Sequence, residues 1–375
     1  MSATPRPLRV LMVDSERTWR GGQGQVFLLM RGLAEAGQRV TLAAPAQGAL
    51  FERSHTLDIE RVPWRGTSSL SSILELRGIV ARGRFDIVHS HASRAHGAVA
   101  VARIGVGGAP AHVVSRRVDF EVARGPWGRW KYHHGADAYI AISNGVRDVL
   151  VAGGVQPDAI TVAPSGIDLE KFARVRDPGY LRDEFSLEPG VPVIVNVAAL
   201  APHKAQSVLL DALSRLRTGR RFRCFIVGEG GLRAQLEAQA GSLSLAGLTF
   251  TGFRNDALEF IRLADVFVMS SRLEGLGTSI MDAQALEAPV VATRTGGIPE
   301  IVEDGVTGLL AAPDDAVSLT AALERMLDDA ALREHCRHNA KLQSAQYDYH
   351  RTVYKTLDVY RRLCHVEAPR EGNPS

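Results

Sequence analysis

The chain is poor in cysteine: it has three in 375 residues, Cys224, Cys336 and Cys364, scattered and odd in number. Without a Cys-x-x-Cys pair neither a disulfide framework nor a thiolate metal site is indicated, and a reduced, cytosolic compartment is expected. Long apolar runs are also missing. The first run, Leu8 to Val13, is soon followed by Asp14 and Glu16. It suits neither a signal peptide nor a membrane span of roughly 18 apolar residues, so membrane contact would have to be peripheral. An excess of one charge is lacking as well. A formal net charge of +3 gives no reason to expect nucleic acid as a partner.

What is present is ordinary for a globular protein: 45% apolar and 23% charged residues. Short apolar runs alternate with helical patterns throughout, the signature of parallel α/β layers. Strands are predicted at Leu8–Val13, Val40–Ala44, Phe85–His89, Ala111–Ser115, Tyr139–Ser143 and Ile160–Ala163. A second series is predicted at Val193–Leu200, Arg223–Val227, Thr249–Thr251, Val266–Ser270, Pro289–Thr293 and Leu309–Ala311. These runs are continuously apolar, as strands covered on both faces should be. A helix is expected over Gln23–Ala36, closed by Gly37.

The segment from Pro164 to Gly179 has the composition of a hinge. It divides the sequence into residues 1–170 and 171–346, with a final helix over Tyr347–His365 and a tail, Glu367–Ser375, expected to be disordered. The fold class expected is α/β, two doubly wound domains facing across a cleft. Ligands should bind beyond the carboxyl ends of the strands.

The most informative segment follows the strand Val266–Ser270 and runs from Ser271 to Ala283. A buried strand enters a loop, Glu274-Gly275-Leu276-Gly277, and a helix opens near Thr278 and Ser279. Unpaired N–H groups and the helix dipole there favour a phosphate. Glu274 in the loop and Asp282 one turn into the helix would flank that opening, as acceptors for sugar hydroxyls or as ordinary helix-start acids. Lys204 follows another buried strand, in Ala198-Ala199-Leu200-Ala201-Pro202-His203-Lys204. A cation at a helix start opposes the dipole and so needs a reason.

With Thr295-Gly296-Gly297-Ile298-Pro299-Glu300 and Glu303-Asp304-Gly305-Val306-Thr307-Gly308 added, the pattern resembles the retaining glycosyltransferases of family 4, the group 1 enzymes of GT-B fold. The resemblance covers nearly the whole chain. It matches Glu274 and Asp282 to the family's glutamate–seven residues–glutamate motif, the second position of which holds the ribose of the nucleotide. It implies that Lys204 neutralises a diphosphate. Gly228, in Val227-Gly228-Glu229-Gly230, allows close backbone approach, and Phe253 and Arg254 resemble the segment at the nucleobase. Two departures stand out: Asp282 replaces a glutamate, and Ala199 occupies the place of a phosphate-binding arginine. No Asp-x-Asp occurs, so the diphosphate is expected to be balanced by Lys204 and helix starts, without a metal.

In the first half, Arg20-Gly21-Gly22-Gln23-Gly24 leads into a helix. It lacks the third glycine of a dinucleotide fingerprint, and Gly22 resembles the family's paired-glycine loop. His89 and His91 share one face at a strand end; the resemblance puts His91 beside the transferred sugar, and a structural histidine would fit the same place. Arg116, Arg117, Arg124, Arg129 and Lys131 surround Trp127 and Trp130, a basic patch for an anionic acceptor, an anionic membrane, or solvent alone.

The resemblance implies an enzyme with Glu274, Lys204 and His91 as its catalytic group. No cofactor is implied. The donor would be a UDP-, GDP- or ADP-linked sugar, and the acceptor a carbohydrate or lipid-linked glycan of envelope polysaccharide, lipopolysaccharide or glycolipid synthesis. The final helix would return to the first domain. A GT-B epimerase or phosphorylase, and an inactive sugar-binding or scaffold protein, remain as alternatives. A nicotinamide-dependent oxidoreductase is disfavoured by the broken glycine fingerprint.

Overall fold

The structure, a computed structural model, describes residues 6–122, 125–216 and 221–366. The expected disorder of Glu367–Ser375 and the charge of Arg124 lie outside those residues. The chain separates into two compact units. The first holds the residues up to Gly166 and those from Tyr349 onward; the second runs from Ile167 to Asp348.

Among the described residues the first unit contains one sheet of seven parallel strands in the order β3-β2-β1-β4-β5-β6-β7. These are β1 (Arg9–Val13), β2 (Arg39–Ala44), β3 (Glu60–Pro63), β4 (Ile87–Ser90), β5 (Ala111–Arg116), β6 (Ala138–Ala141) and β7 (Ile160–Val162). Val10 pairs in register with Val40 on one side and Ile87 on the other. Residues 10–13 of β1 are fully buried, as a central parallel strand must be.

The second unit repeats the scheme with six parallel strands in the order β10-β9-β8-β11-β12-β13. They are β8 (Val193–Val197), β9 (Arg223–Val227), β10 (Leu248–Gly252), β11 (Val266–Met269), β12 (Val290–Thr293) and β13 (Leu309–Ala311). In each sheet the chain order reverses beside the first strand of the unit, between β1 and β4 and between β8 and β11. Such a switch point opens a crevice at the carboxyl ends of the two strands.

Three differences from the sequence expectations have physical causes. The strand β3 reads Glu-Arg-Val-Pro and is mostly exposed; an edge strand paired only with β2 needs no apolar run. The strand β8 stops at Val197 because residues 198–200 leave the sheet and cross the turn at Gly228 to Gly230. A Cβ at Gly228 would lie 2.1 Å from the Ala198 carbonyl oxygen, and one at Gly230 would lie 2.2 Å from that of Leu200. The division falls after Gly166 rather than near 170, because Ile167 is buried, bridges Asp348 and donates its N–H to Tyr347 O at 2.7 Å.

The last helix, Tyr349–Leu363, lies in the first unit against the helix Gly21–Glu35. Val353, Leu357 and Tyr360 enter the same core as Val26, Met30 and Leu33. Gly32 permits the approach: a Cβ there would sit 2.5 Å from Val353 Cγ2.

Candidate active site

At the switch point of the second unit, the loop after β8 brings Lys204 and the loop after β11 brings Glu274. The Lys204 ammonium forms an ion pair with Glu274 Oε2, and both side chains are largely buried. Ser271 Oγ donates to the same oxygen at 3.1 Å. One backbone and one side-chain bond fix the two loops together, with Arg272 N–H donating to His203 O at 2.8 Å and Ser270 Oγ to Lys204 O at 3.0 Å. Gly297 N–H donates to Glu274 O at 3.0 Å, tying in the loop after β12.

Gly277 lies in the left-handed region, φ +93°, and precedes the helix Thr278–Ala285, which no side chain caps. Glycine is needed for that backbone. Gly275, Leu276 and Gly277 are buried, whereas Thr278 and Ser279 at the helix start are partly open. Lys204, Glu274 and an uncapped helix start form one cluster that can hold an anion beside a hydroxyl-bearing group.

Asp282 lies one turn further along. Lys171 Nζ donates to its Oδ1 at 2.6 Å, from a 3-10 turn over Leu169–Arg174. Burial pushes the Asp282 carboxyl above the ordinary range, and Lys171 opposes the shift. Lys171 was missed from sequence because it stands in a charged stretch that reads as hinge.

Gly228, at φ +141°, makes its close approach to the protein's own Ala198 backbone. Phe253 is 60% exposed on the loop after β10. Arg254 is engaged by Asp256 and Glu184, with contacts of 2.8 Å to each carboxylate. These carboxylates, Asp256 first, raise the Arg254 pKa, while Arg254 lowers that of Asp256 to about 2. A network shared with Tyr180, whose hydroxyl donates to Asp256 at 2.7 Å, holds this arginine in place.

The first unit has its own cluster at its switch point. Asp14 follows β1, His91 follows β4, and Arg117 follows β5. Arg117 Nη1 donates to His91 Nδ1 at 3.0 Å. A guanidinium only donates, so Nδ1 accepts and the His91 proton resides on Nε2. That Nε2 is buried and, among the described residues, has no partner; the same holds for Ser15 Oγ. Burial first, then His89 and Arg117, pushes His91 well below the usual histidine range. His91 is thus held as a neutral Nε2–H donor.

Asp14 accepts from Glu16 N–H at 2.7 Å and from Gln23 Nε2 at 3.3 Å, and its pKa is raised by burial. Burial lowers Arg117 to about 10. Gly22 lies in the first turn of the helix Gly21–Glu35, which has no side-chain cap, and a Cβ there would meet open space. His89 is structural: Tyr360 OH at 2.6 Å and Ser115 Oγ at 2.8 Å satisfy both ring nitrogens.

The basic patch expected around Trp127 needs correction. Arg116 is buried and donates to Tyr132 OH and to the carbonyls of Val118 and Phe120. Lys131 is also buried, donating to Ser93 Oγ at 3.0 Å. Arg117 turns to His91. Of that group Arg129 is exposed; Trp127, also exposed, stacks on Trp130 with ring centroids 5.1 Å apart. Loop carbonyls and hydroxyls took up charges that composition had assigned to the surface.

Residues 19–171 match the model of Glycosyltransferase Family 4, and residues 181–343 match that of Glycosyl transferases group 1. The chain belongs to the group 1 glycosyltransferases. Alpha-D-kanosaminyltransferase of Streptomyces kanamyceticus is 29% identical over 65% of this chain and 66% of its own length. D-inositol 3-phosphate glycosyltransferase 2 of Catenulispora acidiphila is 27% identical over 96% of each chain. The crystal structure of HepE of Anabaena in complex with UDP-glucose superposes with a TM-score of 0.81 over 95% of this chain and 100% of that one, at 19% identity. A glycosyltransferase of Rickettsia africae gives 0.82 over 96% and 99%, at 18% identity. At such identities the structural likeness concerns the fold, which is GT-B, two parallel-sheet units.

Proposed function

We propose that this glycosyltransferase takes its sugar from a nucleotide diphosphate and passes it, with retention of configuration and without a metal ion, to an acceptor hydroxyl. The observation that carries the reading is the Lys204–Glu274 pair beside the uncapped helix start at Thr278. With donor bound, the partners exchange: Lys204 and the helix start take the diphosphate, and Glu274 accepts from sugar hydroxyls. Asp282 accepts from the ribose.

Glu274 positions the sugar and does not attack it. The sugar–phosphate bond loosens, the acceptor hydroxyl enters on the same face, and its proton passes to the departing phosphate oxygen. Lys204 stabilises the charge that develops there. In the first unit His91 Nε2–H donates to a substrate hydroxyl oxygen. The family resemblance, and a structural neighbour solved with UDP-glucose, support a nucleotide-sugar donor. A glycan or glycolipid acceptor follows from the family resemblance, and the exposed Trp127 and Arg129 are the residues proposed for peripheral contact with an anionic membrane.

Thermal-shift screening against UDP, GDP and ADP tests the donor, since a ligand that binds only the folded chain raises its midpoint. Stabilisation by one of them, undiminished by a chelator, is expected. Proton NMR of the product's anomeric centre tests retention. No response to any nucleotide, or an inverted product, would refute the corresponding part.

A further inference from the structure

We propose that Lys171 is a positioning residue for donor recognition: it pins Asp282 so that an aspartate can hold the ribose where the family motif has a glutamate. The inference rests on the donor-site reading above and adds a residue to it. Lys171 Nζ donates to Asp282 Oδ1 at 2.6 Å. Among the described residues no hydrogen bond reaches Oδ2. One oxygen is therefore fixed and the other is left to accept.

The lysine is itself held in place. Asp168 accepts from Glu170 N–H at 3.1 Å and caps the 3-10 turn, and Arg262 donates to Val175 O at 3.1 Å beyond its end. Lys171 Nζ also lies 5.0 Å from the centre of the Phe172 ring. The bond thus joins two ordered segments.

The chemistry explains why such a clamp is useful. Ribose hydroxyls donate best to an ionised carboxylate. Asp282 is half-buried in a setting that favours its neutral form, and Lys171 is the charge that opposes this. Aspartate has one rotatable bond fewer than glutamate, so fixing Oδ1 leaves essentially one place for Oδ2. Each acid of the motif holds one lysine, Lys204 on Glu274 and Lys171 on Asp282. The two differ in role. Lys204 exchanges its partner for the diphosphate, whereas Lys171 keeps Asp282 throughout.

The test is calorimetric titration of the full chain with UDP, or with GDP or ADP if the thermal screen selects it, and with the 2′- and 3′-deoxy forms. The wild type is expected to bind at least one deoxy form about tenfold more weakly, the loss of one charge-assisted hydrogen bond. Lys171→Met should weaken the parent nucleotide to a similar degree and no longer discriminate the deoxy form; Lys171→Arg should restore both. A merely structural lysine would not alter discrimination. Asp282→Asn, nearly isosteric and uncharged, supplies the same test if Lys171→Met does not fold, and should also lose discrimination. Full discrimination in Lys171→Met, or in Asp282→Asn, overturns the proposal. If Asp282→Ala weakens binding while Lys171→Met does not, only the role of Lys171 fails. If Asp282→Ala changes nothing, the ribose reading fails and this inference with it.

Discussion

At the scale of single residues, the candidate site is defined by what each side chain already touches. Glu274 and Lys204 neutralise one another in the free chain, so removing either alters the other. Glu274→Gln is expected to lower kcat by about 100-fold, the usual cost of a lost transition-state contact. Its affinity for the bare nucleoside diphosphate should be unchanged or tighter, because Lys204 loses a competitor. Lys204→Ala should weaken that nucleotide by about tenfold or more. Steady-state kinetics with calorimetry separates the two, and equal loss of nucleotide affinity in both variants would contradict the assigned roles. Gly228→Ala tests a different contact. Its Cβ would meet Ala198 O at 2.1 Å on a backbone at φ +141°, so a loss of about 2 kcal/mol or more in denaturant unfolding is expected.

At the scale of elements, the final helix is a component of the first unit's core. Its docking on the helix Gly21–Glu35 depends on Gly32 facing Val353. Intrinsic propensity would favour alanine over glycine inside a helix by about 1 kcal/mol. Overpacking costs about 1–3 kcal/mol, and at this crossing it should win. Gly32→Ala is therefore expected to destabilise, and Val353→Ala to restore part of the loss when combined with it. Additive effects in that double-mutant cycle would show that the two side chains do not meet. The sequence announced the helix through its pattern, but not its neighbour. No local signal in residues 349–363 names a partner more than 300 positions away. The strand β3 was equally silent, since an exposed edge carries no apolar run.

At the scale of the whole chain, pH acts through histidines of the first unit. His89, His91, His96 and His112 are buried, and burial is the first cause that lowers each, His112 to about 3. The unfolded chain binds protons on these groups once pH falls below about 6.5, whereas the folded chain does not. Stability is thus full above that value and is lost on acidification. The loss is about 1.4 kcal/mol per pH unit for each histidine, a large share of a stability of about 5–15 kcal/mol. Asp14, raised by burial, opposes the trend. The thermal midpoint should fall steeply between pH 7 and 5.5, and a flat profile would mean that these histidines charge in place.

Local chemistry determined much of this protein. Continuous apolar runs specified parallel strands, and strand–glycine–helix spacing put Glu274, Gly277 and Lys204 at the ends of such strands, because periodicity and turn chemistry are properties of a few consecutive residues. The tertiary structure decided what each charge meets. Lys171 on Asp282, Arg117 on His91 and Arg116 within its loop are set by the fold, since a charge finds its partner through space and leaves no mark of that choice on its neighbours in the chain.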